Sequence, residues 1–339
     1  MTIDRLTLRN FLLFTGNKEK SFDSFDEHFI NGINVFIGEN GTGKSTLLKC
    51  IYSACEWSRE TTHPNKAKRF RDYFSTSKKP IKEINQKSND NDFGLIRVYS
   101  GENELHFRAW DSSISDFDNW LGLDIKSVLI PTAEMLSHSK GLLAMASKWD
   151  IPFDATQTDI LVNVQLPETN ELSERNRKLL KLISDTIGGE VVYENDEFYV
   201  IKENGFKIEF SLEAEGFRRL GLIWKLIRNG LLERGSILLW DEPEASINPE
   251  LMPLLADILY ILKNDGVQVF LATHNYLLTK YLDIKKQSEN DVLFISLRRS
   301  QDGEIKTARA SKYSLLEHNS IETAEEKLFN AVIEKTMEA

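Results

Sequence analysis

The chain opens on alternation. Ile3, Leu6 and Leu8 sit among polar neighbours and lead into Asn10-Phe11-Leu12-Leu13-Phe14, the pattern of a first strand turning into a hairpin that ends near Val35. Ile33-Asn34-Val35-Phe36-Ile37 reads as a buried strand, and Leu47, Leu48, Ile51, Tyr52 and Cys55 then recur at helical spacing. Phe93 to Trp110 alternates twice around Gly101-Glu102-Asn103, which predicts a second hairpin. Ser127 to Ile130 is a short apolar run stopped by Pro131. From about 135 to 190 the pattern is mainly helical and stops at Gly188-Gly189; strands follow at Val191–Tyr193, Phe198–Ile201 and Phe206–Phe210. An apolar helix runs through Leu222, Ile223, Leu226 and Ile227. Beyond it lie buried strands at Ile237–Trp240 and Val267–Ala272, two more at Asp291–Leu297 and Ile305–Ala308, and a last helix over Glu322–Lys335. Buried strands set between helices imply an α/β fold.

Composition narrows the picture. The 339 residues are 41% hydrophobic and 28% charged, values of a globular protein with a sizeable core. The net charge of −10 argues against nucleic acid binding over the whole surface. Arg59 to Lys87 departs from that balance: nine basic residues against three acidic ones give it +6 and leave −16 to the rest. Phe70, Tyr73 and Phe74 interleave with these charges, so the stretch reads either as a surface for DNA, RNA or a partner or as a solvated loop. Two cysteines, Cys50 and Cys55, share one predicted helix and are read as reduced packing residues. The N-terminus has no signal-peptide pattern and no apolar run reaches 18 residues, so a cytoplasmic protein without a membrane span is expected.

Chemistry enters at Gly38-Glu39-Asn40-Gly41-Thr42-Gly43-Lys44-Ser45-Thr46, a Gly-x-x-x-x-Gly-Lys-Ser pattern between a strand and a helix. Its glycines let backbone N–H groups turn inward on phosphate oxygens, and the helix start adds positive potential. Lys44 is placed to reach the β- and γ-phosphates of ATP and Ser45 to bind Mg²⁺. Ser236-Ile237-Leu238-Leu239-Trp240-Asp241-Glu242-Pro243 puts two carboxylates at the end of a buried strand. Asp241 suits Mg²⁺, and Glu242 suits orientation and deprotonation of an attacking water.

In this order the motifs resemble the ABC-type P-loop ATPases, specifically the soluble SMC, RecF and overcoming-lysogenisation-defect group, and the likeness covers nearly the whole chain. It implies one ABC-type head over residues 1–339, with an N-terminal antiparallel β subdomain, a basic insertion at 56–92, a helical lobe with a β-hairpin at 135–210, and a second half of the nucleotide core at 211–339. By the same resemblance Phe14 and Thr15 flank adenine, Glu134 stands nearest the Mg²⁺-touching glutamine, and His274 is the switch histidine that senses the γ-phosphate. Ser211 to Gly221 matches the signature motif, with Ala214 in the serine position. Gly216 would then approach ATP on the other subunit, with either Ser211 or the backbone and Arg218 or Arg219 carrying the contact of the missing serine. Glu244 to Pro249 resembles the dimer-contacting D-loop, with Asn248 in the usual acid position. The resemblance implies slow, partner-regulated ATP hydrolysis in a homodimer or higher homo-oligomer. It further implies a separately encoded effector, a nuclease or toxin, in bacterial anti-phage defence. The alternatives are a RecF-like repair ATPase and a non-hydrolysing ATP-bound scaffold. Coiled-coil arms and the carboxylates of a Toprim nuclease are absent from the sequence.

Overall fold

The computed structural model describes residues 1–15, 24–59, 66–74, 94–108, 114–115, 119–149 and 151–337. Its centre is a six-stranded sheet. β3 (Ile33–Gly38) lies between β12 (Gln268–Thr273) and β13 (Val292–Arg299). β11 (Ile237–Asp241) and β7 (Ser127–Ile130) extend one side, and β14 (Ile305–Ala310) closes the other. Every pairing is parallel except that of β13 with β14. Both faces of the central strands are covered, which is why they read as unbroken apolar runs.

The two faces feed two cores. Ile33, Val35 and Ile37, with Leu238, Trp240, Val269 and Leu271, point into one. Phe36, Ile237, Leu239 and Phe270 point into the other, together with α1 (Lys44–Ser58). A second sheet of antiparallel strands completes that second core: β2 (Phe25–His28), β1 (Arg5–Arg9), β4 (Leu95–Ser100), β5 (Asn103–Arg108) and β6 (Ile114–Ser115), in that spatial order. The expected hairpin ending near Val35 is corrected here. β1 pairs with β2, while Val35 lies in the central sheet opposite Leu271 and Phe294. A strand apolar on both sides is more stable inside a doubly covered sheet than on a half-exposed hairpin.

The first core is capped by the lobe over 135–210. It holds α3 (Leu142–Lys148), α4 (Ala155–Val164), α5 (Glu174–Ile187) and a three-stranded antiparallel sheet of β8 (Gly189–Glu194), β9 (Glu197–Lys202) and β10 (Lys207–Glu209). Asp154 starts α4 with a reciprocal capping box to Gln157, and Ser173 starts α5. Gly188 ends α5 at φ 66°, a left-handed position that favours glycine. α6 (Glu215–Arg228) packs beside α5. α7 (Met252–Asn264) and α8 (Tyr276–Ile284) lie after β11 and β12 as the crossovers a parallel sheet requires, and α9 (Ser320–Met337) ends the fold.

Most of the Arg59–Lys87 stretch lies outside the described residues. Within it, α2 (Lys66–Phe74) sends Phe70 and Tyr73 inward: the Phe70 ring is 4.1 Å from that of Phe107, and the Tyr73 ring is 5.4 Å from that of Tyr52. Of the three aromatics that interleave with the charges, Phe70 and Tyr73 are core residues and Phe74 is half-buried against them. Cys50 and Cys55 are buried and unbridged, and burial pushes both thiols up. Among the described residues no helix is long and apolar enough to cross a membrane.

Gln268, 1% exposed, ties the two sheets together. Its amide oxygen accepts from the Ile3 N–H at 2.8 Å, and its amide nitrogen donates to the carbonyls of Ile3 and Ile30 at 2.9 and 3.0 Å. Gln268→Leu strands these groups away from water at a cost of about 2 to 3 kcal/mol. A lower midpoint with an unchanged slope in urea unfolding is expected.

Candidate functional site

Four parallel strands end at one edge of the central sheet. β3 ends in the glycine loop, β11 in Asp241 and β12 in Thr273, while β7 runs into Pro131 and Thr132. Their registers bring these ends level: Trp240 pairs with Ile130, Asp241 with Ala272, and Thr273 with Ile37. In open parallel sheets ligands collect at these carboxyl ends.

The loop is wound around its lysine. Lys44 is buried, and its ammonium donates to the carbonyls of Gly38 at 2.7 Å and Glu39 at 2.9 Å. Burial lowers its pKa, against the attraction of Asp241, Glu242 and Glu244. Thr42 donates to the Glu39 carbonyl at 2.9 Å, and Arg299 to that of Gly41 at 3.1 Å. Glu39, Asn40 and Gly41 form the exposed crest, Ser45 is exposed and Thr46 half-buried on the first turn of α1. The α1 N-cap is Gly43 at φ 94°. No side chain caps this end, and no acid lies in the first turn. Free N–H groups at a helix start, beside an ammonium satisfied only by carbonyls, are a donor set that fits a phosphate. Phe14, expected near adenine, is fully buried, and its ring would stand 2.8 Å from a Cβ on Gly43.

The carboxylates gather opposite. The Asp241 pKa is raised by burial, while hydrogen bonds from the Ser45 and Thr132 hydroxyls oppose that shift. Ser45 on the first turn of α1 and Asp241 at the end of β11 are oxygen ligands of the kind magnesium takes beside phosphate oxygens. Among the described residues no group of three His, Cys, Asp or Glu could hold a metal unaided. A cleft of about 320 Å³ opens here, lined by Ser45, Lys49, Pro131, Thr132, Asp154 and Asp241. Glu242 follows at φ 50°, in the left-handed region, with its N–H fixed to the Ala272 carbonyl at 2.8 Å. A non-glycine residue held there costs on the order of 1 kcal/mol, and such positions cluster at functional sites. The turn brings the Glu242 Oε1 to 3.3 Å from Nδ1 of the half-exposed His274.

Two residues to which the sequence reading gave no role at this site belong to this cluster. Thr132 is one: it lines the cleft with Ser45 and Asp241, where Glu134 was expected. The Glu134 carboxylate instead caps the short 3₁₀ turn Leu136–His138, accepting from the Leu136 N–H at 2.6 Å, and pairs with Arg218 at 3.3 Å. Glu244 is the other. It accepts from the Thr273 hydroxyl at 2.6 Å, burial raises its pKa, and its Oε2 is buried without a hydrogen-bond partner. The second Glu of Asp-Glu-Pro-Glu was the available signal for it.

The signature-like segment faces its own chain. Gly216 is buried under the Ser246–Ile247 turn, where a Cβ would meet the Ser246 carbonyl oxygen at 2.8 Å. Arg219, 3% exposed, donates to the Thr132 carbonyl. Ser211 is exposed, 3.5 Å from Glu209, and lines a separate hollow with Lys140 and Glu197. The α6 start has no side-chain cap, and Ala214 and Glu215 there are exposed. Asn248 accepts from the Glu250 N–H and starts the next 3₁₀ turn.

Phosphate loop, paired carboxylates and histidine at the ends of four parallel strands define a nucleotide-binding head of the ABC-type P-loop class. Residues 33–280 match the family model described as "AAA domain, putative AbiEii toxin, Type IV TA system", and the chain belongs to that family. Among solved structures it is similar to an Smc head bound to the C-winged helix domain of ScpA, at 13% identity and TM-score 0.50, over 92% of this chain and 98% of that one. It is also similar to an Smc head with an extended coiled coil bound to the C-terminal domain of ScpA derived from Pyrococcus furiosus. That match has 13% identity and TM-score 0.50, over 97% and 99% of the two chains. At such identity the likeness is one of fold. No curated protein matches the chain.

The loop's glycines separate by their surroundings. Gly41, at φ 76°, has open space around a would-be Cβ, whereas at Gly43 the Phe14 ring occupies it. Gly41→Ala costs only backbone strain, about 1 kcal/mol. Gly43→Ala must also displace a core ring, so thermal melting should show the larger loss at Gly43.

Proposed function

We propose that the protein is a Mg²⁺-dependent ATPase that closes as a homodimer around two ATP molecules and gates a separately encoded effector. The observation that carries this reading is the convergence of Lys44, Ser45, Asp241, Glu242 and His274 at one sheet edge. Lys44 and the free N–H groups of α1 bind the triphosphate. Ser45 and Asp241 hold the metal. Bound Mg²⁺ supplies charge neutralisation at the phosphate oxygens and fixes their geometry. Glu242, held by its strained backbone against His274, takes the proton of the attacking water. His274, half-exposed at the strand end, orients that carboxylate.

Support for assembly is of a different kind. The uncapped, exposed start of α6 leaves N–H groups free to meet a nucleotide on a second copy. Gly216 and Arg219 serve that contact by shaping the segment from within. The Smc heads of similar fold are bound to ScpA, so heads of this fold take partner chains, and the family description points to toxin systems. We read the effector as a toxin or nuclease of bacterial defence.

Glu242→Gln should lower phosphate release at least a hundredfold while leaving affinity for a fluorescent ATP analogue within a factor of three. Lys44→Ala should lose that affinity. Equal, slow phosphate release by wild type and Glu242→Gln, with ATP still bound, would replace hydrolysis with a scaffold role.

A further inference from the structure

Arg219 has an environment that calls for an explanation. It is 3% exposed, on the first turns of α6, and its Nε has no hydrogen-bond partner. Its nearest carboxylate, Glu215, is 3.9 Å away and 44% exposed. A buried guanidinium without a close carboxylate is costly, and helix packing alone would be served as well by an apolar side chain. What Arg219 does contact is the carbonyl of Thr132. Thr132 in turn lines the same cleft as Asp241 and Ser45, and its hydroxyl favours the ionised form of the Asp241 carboxylate. A continuous path therefore runs from α6 through Arg219 and Thr132 to the carboxylate at the metal position. The same turn of α6 is fixed at two further points, by Gly216 under the Ser246–Ile247 turn and by Arg218 on Glu134.

We infer that Arg219 is a positioning residue for Mg²⁺: through Thr132 it sets the orientation of Asp241, and it links the start of α6 to the metal site within one chain. This rests on the ATP and Mg²⁺ reading above. The physical basis is that partners behind a metal ligand fix its direction, and their loss weakens metal affinity by about ten- to a hundredfold. The peptide of Thr132 follows Pro131 at the end of β7, so pulling on its carbonyl rotates the segment that carries the hydroxyl.

The test titrates Mn²⁺ into the full-length protein with a nonhydrolysable ATP analogue and reads free Mn²⁺ by electron paramagnetic resonance. Nucleotide affinity in EDTA is measured in parallel. Arg219→Met should raise the Mn²⁺ midpoint about tenfold and leave metal-free nucleotide affinity within a factor of two. Thr132→Val, which keeps the carbonyl but removes the hydroxyl, should shift the midpoint in the same direction with the fold intact. Lys225→Met is the structural control: Lys225 is equally buried on α6 but pairs with Glu168 at 2.8 Å, so it should lower the melting temperature without moving the midpoint. An unchanged midpoint in Thr132→Val, or in a folded Arg219→Met, overturns the inference alone. A wild type that binds no nucleotide overturns the ATP reading with it.

Discussion

The buried ammonium of Lys44 is the constraint on which this site depends. A charge withdrawn from water is stable only where oxygen atoms surround it, and here the carbonyls of Gly38 and Glu39 supply them by bending back over the side chain. That bend forces the positive φ at Gly41 and Gly43 and delivers α1 with its first N–H groups uncovered. The negative charge of Asp241, Glu242 and Glu244 faces the same lysine from the end of β11, across β12, which lessens the cost of burying it. Loop, helix start and carboxylates thus form one electrostatic unit, and the sheet holds it together because β3, β12 and β11 are adjacent and parallel.

Much of this was legible in the chain, for a physical reason. The phosphate loop, Asp241-Glu242 and His274 are contiguous with apolar runs, so each motif carries the strand that places it. The helix and strand pattern of 135–210, the stop at Gly188 and the last strands also follow from local periodicity. What was not legible depends on packing between distant segments. Whether Glu134 or Thr132 lines the cleft beside Asp241 is settled by where the Leu136–His138 turn needs a cap. Whether Arg219 looks outward or inward is settled by the fit of α6 against the end of β7. Phe70 and Tyr73, spaced among lysines and arginines, gave no sign that their helix buries an aromatic face against Trp57 and Phe107.

The same distinction separates the two halves of the proposed nucleotide site. On the phosphate side every element is drawn from the sheet, and the geometry follows from strand register. On the signature side the residues are held by α6 and by the turn at Ser246, which itself carries φ 60°. Gly216 therefore earns its place first inside one chain, as the position where helix and turn touch. A contact with a second copy would then be made by backbone groups that this packing holds in place.

The most direct test of the account is a crystal structure grown with Mg²⁺ and a nonhydrolysable ATP analogue. It should show the triphosphate over the start of α1, Lys44 moved from the loop carbonyls onto phosphate oxygens, and one metal between Ser45 and Asp241. An analogue bound elsewhere, or a metal held without either of those side chains, would contradict it.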